Sequence, residues 1–166
     1  MRGAYRETAR TILCEAITPS ARPPTCRQTD WLCDVYLERY LEQFPRWCRL
    51  ALDGSTVVGY LVGAPVPPLT EHGLAGQHQS SVFRDLWPRY PAHCHINLTA
   101  AARGRGIGTD LVRAFLAHCR AEHLAGAHVV TGAGARNVGF YLRCGLNDEV
   151  HRDALERKLC FLGTRF

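Results

Sequence analysis

Three glycines alternate along Arg103-Gly104-Arg105-Gly106-Ile107-Gly108, directly ahead of a run with helical periodicity. Glycine leaves backbone N–H groups uncovered and admits the positive φ that a curling loop needs. A helix starting behind the loop adds its unsatisfied first-turn donors and the positive end of its dipole. Amides arranged this way cradle phosphate oxygens, so the chemistry written here is the holding of a phosphate-bearing ligand. Arg103 and Arg105 flank the loop, and guanidinium suits phosphate oxygens; one is expected to help and the other to lie in solvent.

Spacing excludes two common ligand classes. A mononucleotide loop needs Gly-x-x-x-x-Gly-Lys-Ser/Thr, and the single lysine, Lys158, is far away. The dinucleotide fingerprint needs glycine where Thr109 stands. Arg103-x-x-Gly106-x-Gly108 instead resembles the pyrophosphate-binding motif Gln/Arg-x-x-Gly-x-Gly/Ala of the GNAT superfamily of N-acetyltransferases. Downstream, Asn137-Val138-Gly139-Phe140-Tyr141-Leu142-Arg143-Cys144-Gly145-Leu146 resembles that family's Asn…Phe-Tyr-x-x-x-Gly-Phe block. The resemblance implies acetyl-coenzyme A as cofactor. It implies contacts from Leu98 and Thr99, from Gly104, Ile107 and Thr109 around the motif glycines, and from Asn137, Phe140 and Tyr141. It also implies an α/β fold, with a mixed, splayed sheet of about six strands flanked by about four helices. The strands His93–Thr99 and Ala127–Gly132 would part to admit the pantetheine arm. A narrower likeness comes from Gly59-Tyr60-Leu61-Val62-Gly63-Ala64 and from Leu86-Trp87-Pro88-Arg89-Tyr90-Pro91-Ala92-His93-Cys94-His95 ahead of Ile96-Asn97-Leu98. These resemble the acetyltransferase-like domain of O-GlcNAcases and its free-standing bacterial relatives. One departure is that Met1–Ala4 is too short for the strand with which the family begins.

The elements that must position these residues follow from periodicity. Tyr5, Ala9, Ile12, Leu13, Ala16 and Ile17 form a helical stripe, and Thr18–Arg27, with three prolines, reads as a loop. Thr29 or Asp30 is expected to cap a second helix with Trp31, Val35, Leu37 and Leu41 inward, ended by Pro45. Arg46–Leu52 and Thr56–Gly63 read as strands around the turn Asp53-Gly54. Pro65–Pro91 is a long insert with a short helix near Gln79–Leu86, either a lid facing substrate or a tolerated surface loop. The helix Thr109–Leu124 sets Leu111, Phe115 and Cys119 inward, with Gly126 as its cap. Strand, glycine loop, helix and strand make a βαβ unit, so its two strands should be parallel. A helix over Asn137–Cys144, ended by Gly145, and strands near Asn147–His151 and Lys158–Leu162 complete the chain.

Acyl transfer to an amine sets the remaining roles. A lysine-like amine has a pKa of about 10.4 and must lose a proton before it attacks. His95 is the candidate base, because strand alternation sets His93, His95 and Asn97 on one face. The pair also resembles that of arylalkylamine acetyltransferases. Glu149 and Asp85 are weaker alternatives. Backbone N–H groups near Leu98 could stabilise the oxyanion. Tyr141, at the family position of the acid, would protonate the leaving thiolate. Asn137 could cap its own helix, contact the cofactor, or do both.

At 166 residues the chain is expected to form one domain, residues 1–166. No apolar run approaches the roughly 20 residues that span a bilayer, and no signal-peptide pattern opens the chain. A soluble cytoplasmic protein, as monomer or homodimer, is the expectation. Eight cysteines include no C-x-x-C pair, and His93-Cys94-His95 lacks further clustered ligands, so no metal is expected. The net charge of +5 comes mostly from scattered arginines and suits a polyanionic cofactor; no nucleic-acid motif accompanies it. The reading is an acetyl-coenzyme A-dependent N-acetyltransferase acting on a primary amine of a small molecule or protein. The alternative is an inactive cofactor-binding or interaction domain.

Overall fold

The computed structural model describes residues 3–17, 26–68, 75–154 and 157–166. Helical spacing buries Ala9, Ile12 and Leu13 along one side of α1 (Gly3–Ile17). Gly3 and Ala4 are already helical, and among the described residues no strand precedes α1. From Cys26 the chain runs through α2 (Cys26–Cys33), a π-helical turn over Asp34–Glu38 and α3 (Arg39–Gln43). The wide turn shifts the helical phase by a residue. The inward residues are therefore Cys33, Val35, Leu37 and Tyr40, while Trp31, expected inside, is half exposed. Neither Thr29 nor Asp30 caps this helix, which begins at Cys26; the Asp30 carboxylate accepts from Arg10 instead. Buried Glu38 accepts from both Arg6 and Arg10 and ties α1 to this run.

Six strands form one sheet: β1 (Arg49–Asp53), β2 (Thr56–Ala64), β3 (Ala92–Leu98), β4 (Gly126–Gly132), β5 (Asp148–Ala154) and β6 (Arg157–Arg165). Their order is β1-β2-β3-β4-β6-β5. The first strand starts at Arg49 rather than Arg46 because Pro45 opens a short 3-10 turn through Trp47. Gly54, at φ +60°, makes the expected hairpin turn. Only β3 and β4 are parallel, joined through α4 (Ile107–Ala121) as the βαβ pattern requires.

Leu111, Phe115 and Cys119 of α4 are buried as expected, but its end is not at Gly126. His123 takes the left-handed conformation at φ +55°. Bonds from His123 N–H to the Arg120 carbonyl and from Leu124 N–H to the Cys119 carbonyl close the helix. Gly126 instead opens β4, where a Cβ would meet the carbonyl oxygens of Arg89 at 2.5 Å and Thr164 at 2.7 Å. The last helix, α5 (Val138–Arg143), does end at Gly145, φ +95°, with the same pair of bonds.

Helices α4 and α5 cover one sheet face, over Cys94, Val129, Cys160 and Leu162. On the other face α1–α3 pack on Tyr60 and Val62. The described part of the insert packs under the far end of the sheet. Ala75–Leu86 is a 3-10 helix, and Phe83, Leu86 and Tyr90 bury against Leu159 and Phe161 of β6. Arg152 of β5 pins Asp85. The described part of the insert is thus neither a loose loop nor a cover on the α4–α5 side. Residues 69–74 of the insert, and residues 18–25 of the loop expected over Thr18–Arg27, lie outside the described residues, while Cys26 and Arg27 are already helical in α2.

Candidate active site

Alternation along β3 divides its backbone groups. The Thr99 N–H bonds the Val58 carbonyl at 3.0 Å. Residues two and four before it therefore turn their groups toward β2, while Ile96 and Leu98 turn theirs toward β4. There, however, pairing consists of Ala92↔Ala127 and His93↔His128 and then stops. β4 stays paired with β6 from Gly126 to Gly132, and β3 stays with β2 to Leu98, so neither strand can swing across. The two parallel strands part.

A cleft of about 550 Å³ lies at this opening. Leu98 of β3, Gly104, Gly106 and Gly108, and Asn137, Phe140 and Tyr141 from the α5 region all line it. Gly104 and Gly106 have φ of +73° and +84°, with nothing within 4 Å of a Cβ at either, so their backbone faces open space. At Gly108 a Cβ would sit 3.3 Å from both Leu98 and Phe140, and glycine lets α4 approach them. Asp110 N–H to the Gly106 carbonyl is the first bond of α4, and no side chain caps it. The amides of Ile107, Gly108 and Thr109 thus have no acceptor within the helix. Open backbone beside uncapped amides fits a diphosphate.

Arg103 lines the cleft, donating through Nε and Nη2 to the Leu98 carbonyl at 3.3 and 3.2 Å. Arg105 lies outside it in an exposed ion pair with Asp53 at 3.2 Å. Thr99 and Ile107 are also outside the lining, while Thr109 is within it. Asn137 does not cap α5. Its Oδ1 accepts from the hydroxyl of Thr131, next to last in β4, at 2.9 Å, and this leaves the amide N–H₂ for other partners. Five lining residues are not among the expected site residues: Ala16 of α1, Ile96 and Asn97 of β3, and Arg136 and Arg143, both exposed near the two ends of α5. The signal for the two arginines is position, since they bracket the Asn137–Tyr141 block.

Tyr141 is buried at the cleft wall. Burial, reinforced by Cys94 and Cys144, pushes its phenol pKa upward, so the group stays protonated. His95 is not in this wall but on the opposite face of β3. Its ring meets Tyr36 edge-on at 5.1 Å, and its Nε2 lies 3.1 Å from the Tyr40 hydroxyl. The network assigns the tautomers. His93 Nδ1 must donate to the Val66 carbonyl at 2.8 Å, so its Nε2 accepts from the Tyr40 hydroxyl at 2.7 Å. That hydroxyl then accepts from His95 Nε2–H, and the lone pair of His95 sits on Nδ1. Burial, with help from His128, holds the His95 pKa down to about 4. The alternative bases lie elsewhere: Asp85 pairs with Arg152, and Glu149 with His151.

A model of the acetyltransferase (GNAT) family matches residues 12–146. Among solved structures, SsHAT is similar at 20% identity and TM-score 0.76, covering 99% of this chain and 95% of that one. Ribosomal-protein-alanine N-acetyltransferase from Brucella melitensis is similar at 15% identity and TM-score 0.61, with 100% and 97% covered. A phosphinothricin acetyltransferase from Sinorhizobium meliloti, in complex with AcCoA, is similar at 16% and 0.61, with 100% and 85% covered. Among the described residues no helix is long and apolar enough to cross a membrane.

Proposed function

The chain belongs to the acetyltransferase (GNAT) family, and from that premise we propose that it is an acetyl-coenzyme A-dependent N-acetyltransferase acting on a primary amine. The observation that carries this reading is the cleft at the parted strands, with bare glycine backbone on one side and unpaired β3 amides on the other. Acetyl-coenzyme A supplies the activated acetyl thioester. The amides from Gly104 to Thr109 would hold its diphosphate, with Arg103, Arg136 and Arg143 adding positive charge. Groups of Ile96 that meet no strand would align the arm, and the Leu98 N–H, whose carbonyl is already held by Arg103, would face the developing oxyanion.

Direct attack in a ternary complex asks this chain for orientation and proton handling. Tyr141, kept protonated by burial, is the proton donor for the leaving thiolate. His95 is the proton acceptor for the amine, through Nδ1. It lies two residues beyond the last β3–β4 pair, and Asn97 on the same face lines the cleft, so an acceptor arriving on that face meets the opening beside it. That face is bounded by the α2–α3 run and the insert, which gives the insert a substrate-facing role. The neighbours named above include enzymes for a small molecule and for a protein. The acceptor is accordingly assigned only as a primary amine. The order of motifs around Gly59–Ala64 and Leu86–His95 supports a place beside the O-GlcNAcase-attached domains. A single unit over residues 1–166, in a reducing cytoplasm, completes the reading.

The low basicity of His95, with its pKa near 4, favours a second reading: a domain that binds the cofactor without turnover. Thiol release from acetyl-coenzyme A against a panel of amines and lysine peptides separates the two. Release with at least one acceptor, slowed by Tyr141→Phe, supports the enzyme; thermal stabilisation by the cofactor with no release across the panel supports the binding domain.

A further inference from the structure

At the outer edge of the sheet, away from the cleft, three ligand-type side chains meet on the α4–α5 face. Glu149 and His151 stand two apart on β5, and so share that face, and His151 lies directly opposite Cys160 of β6. Their donor atoms all lie within 4.8 Å of one another. Glu149 Oε1 receives two hydrogens, from His151 Nε2 at 2.7 Å and from the Cys160 thiol at 3.6 Å. Two hydrogens converging on one carboxylate oxygen mark a point where a cation is welcome. We propose that Glu149, His151 and Cys160 form a binding site for one thiophilic divalent metal ion, zinc being the best match.

The chemistry of the donors selects the ion. A thiolate, an imidazole and a carboxylate are a common zinc set, whereas calcium and magnesium prefer oxygen alone. Zinc bonds of about 2.3 Å to sulfur and about 2.0–2.2 Å to nitrogen and oxygen set ligand-to-ligand edges of roughly 3.3–3.6 Å in a tetrahedron. The observed separations bracket that value, and the two side chains that must adjust are free to do so. Glu149 and His151 are each 37% exposed at the side chain, while Cys160 is fully buried and forms the floor. The neighbour of Cys160 on its other side, Thr131 of β4, is uncharged. The fourth coordination position faces solvent. Binding forms metal–sulfur, metal–nitrogen and metal–oxygen bonds and breaks one S–H bond. The thiol proton goes to solvent, and His151 moves its own proton from Nε2 to Nδ1. The consequence is a clamp between the edge strand β5 and β6.

Cobalt(II) titration of the full chain, followed by zinc, tests this. One equivalent of cobalt should release one proton and produce a thiolate-to-metal charge-transfer band with the visible intensity of four-coordination, and zinc should then bleach the band with no further proton release. Cys160→Ser should abolish the band. His151→Gln and Glu149→Gln, at exposed positions where misfolding is no concern, should each weaken zinc binding by more than about 100-fold, beyond what changes outside the ligand set produce. No band in the unaltered chain, a band that survives Cys160→Ser, or equal zinc affinity in His151→Gln would each overturn the site.

Discussion

The two ends of the β3–β4 pair are built from different materials. At the closed end His93 and His128 lie 5.7 Å apart, His128 stacks on Phe161 at 4.9 Å, and its Nδ1 donates to the Tyr90 carbonyl at 2.6 Å. Gly126 is there because backbone crowds it on two sides. At the open end, by contrast, Gly104 and Gly106 face space, and the Ile96 and Leu98 amides meet no strand. Buried backbone groups are rarely left unsatisfied. An open edge beside a packed one therefore belongs to a place where another molecule completes the bonding, and the packed end holds the gap at a fixed width.

The largest expected effect comes from filling the open end. Gly106→Val puts a branched side chain at φ +84°, onto the bare backbone, and should remove measurable acetyl-coenzyme A binding by calorimetry. Retained affinity would break the contrast between the ends. Next, Tyr141→Phe should lower kcat about 100-fold, the lower range for a lost general acid, with cofactor affinity nearly unchanged. Equal rates would remove the phenol from the chemistry. The two ends should also differ in stability. Gly126→Ala should lower the unfolding free energy by roughly 2–3 kcal/mol through overpacking, while Gly104→Ala should lose only about 1 kcal/mol, from its left-handed φ; equal losses in urea titrations would mean the closed end is not the tighter one.

Acid sharpens the same comparison. Burial holds the pKa values of His95 and His128 down to about 4. The unfolded chain takes up their protons near pH 6.5, which the fold refuses until about pH 4. Stability present above about pH 6.5 should therefore be lost as the pH falls toward 4, by on the order of 3 kcal/mol for each histidine. His128→Phe should flatten that slope, and an unchanged slope would show that the closed end is not kept neutral. The smallest effect is at the rim: Arg143→Ala should raise KM for acetyl-coenzyme A about fivefold, the ~1 kcal/mol of an exposed charge contact.

Local signals made much of this legible. Glycine alternation, the Leu111–Phe115–Cys119 stripe, the Asp53-Gly54 turn and the stop at Gly145 are written within a few residues of where they act. Long-range events were not. The π turn over Asp34–Glu38 has no local signature, yet it rotates Trp31 outward and Tyr40 inward. Tyr40 then meets histidines more than fifty positions away, which no periodicity announces. Strand alternation did set His95 and Asn97 on one face, but not that the cleft would include Asn97 and leave out His95. His123 displaced Gly126 as the helix stop because Gly126 was needed for a close approach elsewhere. Arg136 and Arg143 were lost among similar arginines.

Residue-resolved amide hydrogen exchange with and without coenzyme A probes the open edge most directly. The account predicts slowed exchange at Ile96, Leu98 and Ile107 through Thr109, with little change at Ala127 and His128, which are already paired. Saturating coenzyme A that leaves the Ile96, Leu98 and Ile107–Thr109 amides exchanging at their free rates would contradict it.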